Sequence, residues 1–180
     1  MRNMIHRYVM DMTGDRMASG YSHCQRVYHL ARELDEDFDD DILYAACFLH
    51  DIVVGDDGHR KSAVKAEQIL HETGFPADKI SAVYESIESH WPGSRPKLKE
   101  AKMLHDANLL DSLGAIGLIR LSVGSFFWHH KYNIKDVLDL IKWYRNRADD
   151  LIYPKAKELA KIKIEFMDTA IKELDEEQHL

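Results

Sequence analysis

The sequence predicts an all-α fold, and three observations predict it. Apolar residues recur at helical spacing along the whole 180-residue chain. No alternation of apolar and polar residues lasts long enough for a half-buried strand. Short clusters of Gly, Pro and Asp interrupt the helical pattern, but no repeat or long linker divides it. About seven to nine helices are expected in one domain over residues 1–180, with a motif-bearing core at about 20–130 and helices at 134–178 packing on it.

The elements follow in order. Val27, Leu30, Ala31 and Leu34 continue the helical period of His23, so His23 lies on an apolar stripe. The acidic turn at 35–41 ends that helix and offers N-caps for the next. A helix over 40–51 carries Leu43, Ala46, Cys47 and His50 on one face. After the loop at 55–58, Ala63, Ala66, Ile69 and Leu70 mark a helix stopped by Gly74. Pro76 suits the first turn of a helix over 76–90, and the Pro- and Gly-rich stretch 91–96 breaks the pattern. A helix over 98–113 places Met103, Asp106, Leu110 and Leu113 roughly on one face. Helices are expected over 115–132 and 134–153. Pro154 opens the last, with a stripe of Leu159, Ile162, Phe166, Ala170 and Leu174 that suits packing on the core or a homodimer contact.

Composition narrows the function. Apolar residues make up 45% and charged residues 31%, ordinary for a globular protein. The 24 basic and 31 acidic residues leave a net charge of −7, which argues against binding to duplex nucleic acid or an anionic membrane. A small phosphorylated ligand remains compatible, since a metal and a few cations suffice to hold it. Cys24 and Cys47 have no paired-motif spacing and fit as small core residues. No run of apolar residues is long enough for a leader or a span, so a cytoplasmic location is the expectation.

One constellation carries chemistry. His50-Asp51 closes the apolar run 42–49, with His23 upstream and Asp106 downstream. A buried carboxylate beside an imidazole is costly unless it is paired. A divalent ion removes that cost, and two imidazoles with two carboxylates suit a hydrolytic metal site. Each candidate sits on, or at the end of, a core-facing stripe, so three helices meeting through those stripes would converge them.

The flanks of these residues resemble the HD-domain metal-dependent phosphohydrolases. Ser22-His23-Cys24-Gln25-Arg26-Val27 is similar to the family's H-x-x-R-V segment. Ala45-Ala46-Cys47-Phe48-Leu49-His50-Asp51-Ile52 is close to its A-A-L-L-H-D-I. Asp106-Ala107-Asn108-Leu109-Leu110-Asp111-Ser112-Leu113-Gly114-Ala115-Ile116-Gly117 resembles D-A-D-x-L-D-x-L-G-A-I-G, with Asn108 at the second Asp. The resemblance spans roughly residues 20–130 and implies an HD-type helical bundle of the small single-domain branch. It implies His23, His50, Asp51 and Asp106 as ligands of one divalent ion: Mn, Fe, Ni, Co or Mg. The family's carboxylate soon after the H-D pair has no counterpart in Ile52-Val53-Val54-Gly55, leaving Asp56 or Asp57 as substitutes.

A second tier would act on substrate. His90 and His59 suit a phosphate contact or a proton shuttle. Lys61 and Arg120 are cations placed to offset phosphate charge, and Arg26 could brace a ligand carboxylate. The expected activity is metal-dependent hydrolysis of a phosphate monoester or phosphoanhydride of a small molecule, nucleotides first. Asp51 would be ligand and proton acceptor, with His90 and Arg120 catalytic and His59, Lys61, His90 and Arg120 binding substrate. The alternatives are a two-iron oxygenase on the same scaffold and a non-catalytic nucleotide-sensing module.

Overall fold

In a computed structural model that describes residues 1–128, 130–131 and 133–178, the chain forms nine α-helices and no strand among the described residues. They are α1 (Arg2–Thr13), α2 (Tyr21–Arg32), α3 (Asp40–Leu49), α4 (Gly58–Glu72), α5 (Ala77–Glu88), α6 (Lys99–Asp111), α7 (Gly114–Trp128), α8 (Ile134–Asn146) and α9 (Pro154–Glu177). The all-α expectation is met. No single helix is long and apolar enough to cross a membrane.

Helix boundaries follow local chemistry. Asp39 caps α3 by accepting from the Asp41 and Ile42 amides, and Asp40 and Asp41 complement the positive helix end. Gly74, at φ 66°, ends α4 in a Schellman arrangement closed by the Phe75 amide on the Leu70 carbonyl. Gly117 lies where a Cβ would fall 2.3 Å from the Ser112 backbone, and that close approach lets α7 leave α6 at 86°.

α6 is the central element. One core cluster joins α1 to α5 with Met103, Leu104 and Ala107 of α6. A second joins Leu109, Leu110 and Leu113 to Leu121, Ile141, Ala156, Ala160 and Met167. Buried between both clusters, α6 has no solvated face over residues 103–111.

Three expectations differ from the structure. The helix expected over 134–153 ends at Asn146 and gives way to a 3-10 turn, Arg147–Asp150. The helix expected over 115–132 is described to Trp128, and Tyr132 lies outside the described residues. On α9 the buried face is Ala156, Ala160 and Met167, whereas Ile162 and Phe166 of the expected stripe are exposed. Small residues let α9 approach closely, so the contact runs along the alanines.

Candidate metal centre

α2 and α3 bring His23, His50 and Asp51 together. The face of α2 that buries Cys24, Val27 and Ala31 also carries His23. The apolar run of α3 is buried from Ala45 to Leu49 and delivers His50 at its C-cap, with Asp51 next in the chain. Both imidazoles are fully enclosed, and one ligand atom from each of the three residues lies within 4.8 Å of the others.

Hydrogen bonds fix the orientation of both rings. His50 Nδ1 lies 2.8 Å from the Cys47 carbonyl, which only accepts, so Nδ1 carries the proton. His23 Nδ1 lies 2.7 Å from Asp111 Oδ2 and donates to it. Each Nε2 therefore presents a lone pair, and the two face each other at 3.0 Å. Arg120 Nη2, a donor without acceptor capacity, approaches His23 Nε2 at 3.0 Å and requires the same lone pair. Asp51 Oδ2 lies 3.5 Å from His23 Nε2 and 3.6 Å from His50 Nε2. Two lone pairs and a carboxylate converge around one point, with Arg120 the one donor against them, and such a set suits a divalent ion.

Electrostatics keep the set ready to bind. Burial drives the His50 imidazole from 6.5 down to about 3, against the pull of Asp51. Burial alone would raise the Asp51 carboxyl, but His50, His23 and His90 together hold it well below the usual range. Asp111 is likewise held low, because bonds from His23 and Arg26 and the charge of Arg120 outweigh its burial. Burial pushes the Cys24 thiol up to about 12, consistent with an inert core residue.

Asp106 is not brought to this cluster. Its carboxylate accepts from the Ile152 amide at 2.9 Å and the Tyr153 amide at 2.7 Å, anchoring the segment that enters α9. His105 Nδ1 takes a third position at 2.9 Å. Asn108, about 200° around the helix from Asp106, faces the other way. It lines the cavity that Asp51 lines, and its Oδ1 is buried without a partner. Because all sides of this stretch are buried, apolar periodicity could not select the face.

The second tier is split. His90 is buried rather than at a rim, its Nδ1 donating to the Ile87 carbonyl at 2.5 Å and its Nε2 3.7 Å from Asp51 Oδ1. Burial, partly offset by Asp51, holds its pKa below the ordinary value. Arg120 is buried, with Nε on the Ala18 carbonyl at 2.6 Å and Nη1 3.1 Å from Asp111. His59 and Asp57 line the same cavity, whereas Lys61 does not and instead bonds the Asp56 carbonyl at 2.8 Å. Arg26 braces Asp111 through two bonds of 2.7 and 3.0 Å.

Sequence reasoning read Asp111 as an acid that caps or orients, without naming His23 as its partner, and passed over the aromatic wall. Asp111 follows Asn108 by one helical turn, so their shared face was a usable signal. The cavity holds about 200 Å³ and includes Trp91, Trp128 and Tyr144 among its walls. A Cβ on Gly124 would meet the Trp128 indole at 3.0 Å, so glycine there seats the indole against α7.

A sequence model described as the HD domain matches residues 20–113. No curated protein matches the chain by sequence. Among solved structures, a Lactobacillus plantarum protein is 23% identical with a TM-score of 0.84, covering 99% of this chain and 96% of that one. Bacillus subtilis YpgQ, solved in complex with ADP, is 23% identical with a TM-score of 0.72, covering 98% and 97%. A predicted HD-superfamily hydrolase from an uncultured Thermotogales bacterium is 24% identical with a TM-score of 0.62, covering 98% and 90%.

Proposed function

The chain belongs to the HD domain family, and from that premise we propose that it is a metal-dependent phosphohydrolase of a small phosphorylated molecule, with nucleotides the first class of substrate. The observation that carries the reading is the pair of Nε2 lone pairs facing each other at 3.0 Å beside Asp51. Two buried lone pairs that face each other beside a carboxylate, with only one of them met by a donor, call for a cation.

His23, His50 and Asp51 would hold the ion. When bound, a divalent ion supplies Lewis acidity to a phosphoryl group and to the attacking water. The chain's own groups do the rest. Asp51 turns Oδ2 to the imidazoles and Oδ1 to His90 Nε2 at 3.7 Å, an acceptor pair suited to taking the proton from water. Neutral His90 thus fits a proton acceptor better than a phosphate clamp. Arg120 has its donors engaged by Ala18, Asp111, Ser112 and His23, so it offers the phosphoryl group its positive charge. His59 and Trp91, with ring centroids 5.8 Å apart, form an outer wall.

Nucleotides rank first on two supports. Trp91 and Trp128 offer flat apolar faces for a base, and the YpgQ structure contains ADP. Among the described residues one group of His, Asp, Glu or Cys ligands converges, which favours a hydrolytic ion over the two-iron alternative.

Metal analysis of the purified protein, followed by phosphate release from nucleotides and simple phosphomonoesters, tests the proposal. A bound divalent ion and metal-dependent release are expected, both lost in His50→Ala. Metal-free protein that releases no phosphate with any added divalent ion, yet binds nucleotide tightly, would overturn it in favour of a sensing module.

A further inference from the structure

Asn108 stands on the site face of α6, at a position where the family resemblance implied no ligand. Its side chain is nine-tenths buried, it shares a cavity with Asp51 and Arg120, and its Oδ1 has no hydrogen-bond partner. The carboxylate two positions earlier is fully committed to the Ile152 and Tyr153 amides. A buried amide oxygen is kept without a partner at a cost unless something outside the protein satisfies it. The donors that line the cavity with it, among them Arg120, Ser112 and Tyr144, make no bond to it and do not supply that partner. A cation can.

Resting on the metal centre of the preceding section, we propose that Asn108 Oδ1 is a fourth protein ligand of the ion, making the set two imidazoles, one carboxylate and one neutral amide oxygen. The set then carries a single negative charge, and the Arg120 guanidinium lies beside it at 3.0 Å from His23 Nε2. Such a site binds divalent ions less tightly than one with two carboxylates. It also discriminates among them. Mg, which dehydrates reluctantly and takes carboxylate and water oxygens, is poorly served. Mn, Fe, Co and Ni accept imidazole nitrogen, so the site selects a transition ion over Mg.

The test is titration of metal-free full-length protein with Mn, read by the loss of the free-ion electron paramagnetic resonance signal, with Mg as competitor. Asn108→Asp is expected to tighten Mn binding by about 10-fold and let Mg compete, because it adds the second carboxylate. Asn108→Leu, of similar volume, is expected to weaken Mn binding by about 10-fold or more, with circular dichroism confirming its helical content. His50→Ala separates the two levels of the argument. If His50→Ala abolishes Mn binding while both Asn108 variants bind as wild type, the assignment of Asn108 is wrong and the centre stands. If His50→Ala also binds as wild type, the centre itself is wrong, and Asn108 with it.

Discussion

Asp111 accepts a hydrogen bond from His23 Nδ1 at 2.7 Å and thereby turns the lone pair of that ring toward His50. The same carboxylate holds Arg26 and Arg120, so one buried acid orients an imidazole and pairs with two guanidinium groups. Carboxylate–imidazole pairs of this kind fix the tautomer of a ligating histidine.

Asp111→Asn tests that role. The amide can donate to Nδ1 and move the ring proton to Nε2, and it leaves buried Arg120 without its carboxylate. Mn affinity is expected to fall about 10- to 100-fold, the usual loss when a ligand's supporting partner is removed. The melting temperature should fall with it, since removing one member of a buried ion pair is costly. Wild-type Mn affinity in a folded variant would show that His23 needs no such support.

The pH dependence of stability follows from His50. Its folded pKa is about 3 against an ordinary 6.5. Below pH 6.5 the unfolded chain takes up a proton that the folded state refuses. Stability from this group is therefore fully present above 6.5 and is lost as pH falls toward 3, at about 1.4 kcal/mol per pH unit. His90 acts in the same direction. Urea unfolding of metal-free protein at pH 7 and pH 5 should show the loss. Equal stability at both values would mean that His50 is already protonated in the fold.

The fold was legible because helical period, caps and breakers agreed along the chain. His23, His50 and Asp51 were legible because a stripe or an apolar run leads directly to each. Asp106 misled because α6 is buried on every side, so periodicity placed an acid on a core face without saying which core it met. Only packing distinguishes the side that receives the Ile152 and Tyr153 amides from the side that faces Asp51. The same limit hid the aromatic wall, since Trp91 and Trp128 lie far apart in sequence and meet one cavity only through the fold.

Asp106→Ala separates the two roles once assigned to that residue. Removing the carboxylate leaves the Ile152 and Tyr153 amides without their acceptor at the entry to α9. A loss of about 2–6 kcal/mol is expected, the sum for two stranded donors. Mn affinity of the folded variant should stay within about 2-fold of wild type. A large loss of Mn binding with unchanged melting would restore Asp106 as a ligand.

The aromatic wall makes the last prediction. Trp128 lies one helical turn beyond Gly124, and a Cβ there would press on its indole at 3.0 Å. Gly124→Ala should therefore swing the indole off its seat without touching the metal-facing atoms. If a nucleotide base stacks on that ring, Trp128→Ala removes an interaction of about 1–3 kcal/mol, and KM for nucleotides should rise about 10-fold. Gly124→Ala should produce a smaller rise of the same kind. In both variants kcat should hold, because a contact made equally in the ground and transition states affects KM alone. Glycerol phosphate, which has no ring to stack, is the control, and its KM should not change. A rise in KM for nucleotide and glycerol phosphate alike would assign Trp128 to the shape of the phosphate pocket rather than to a base.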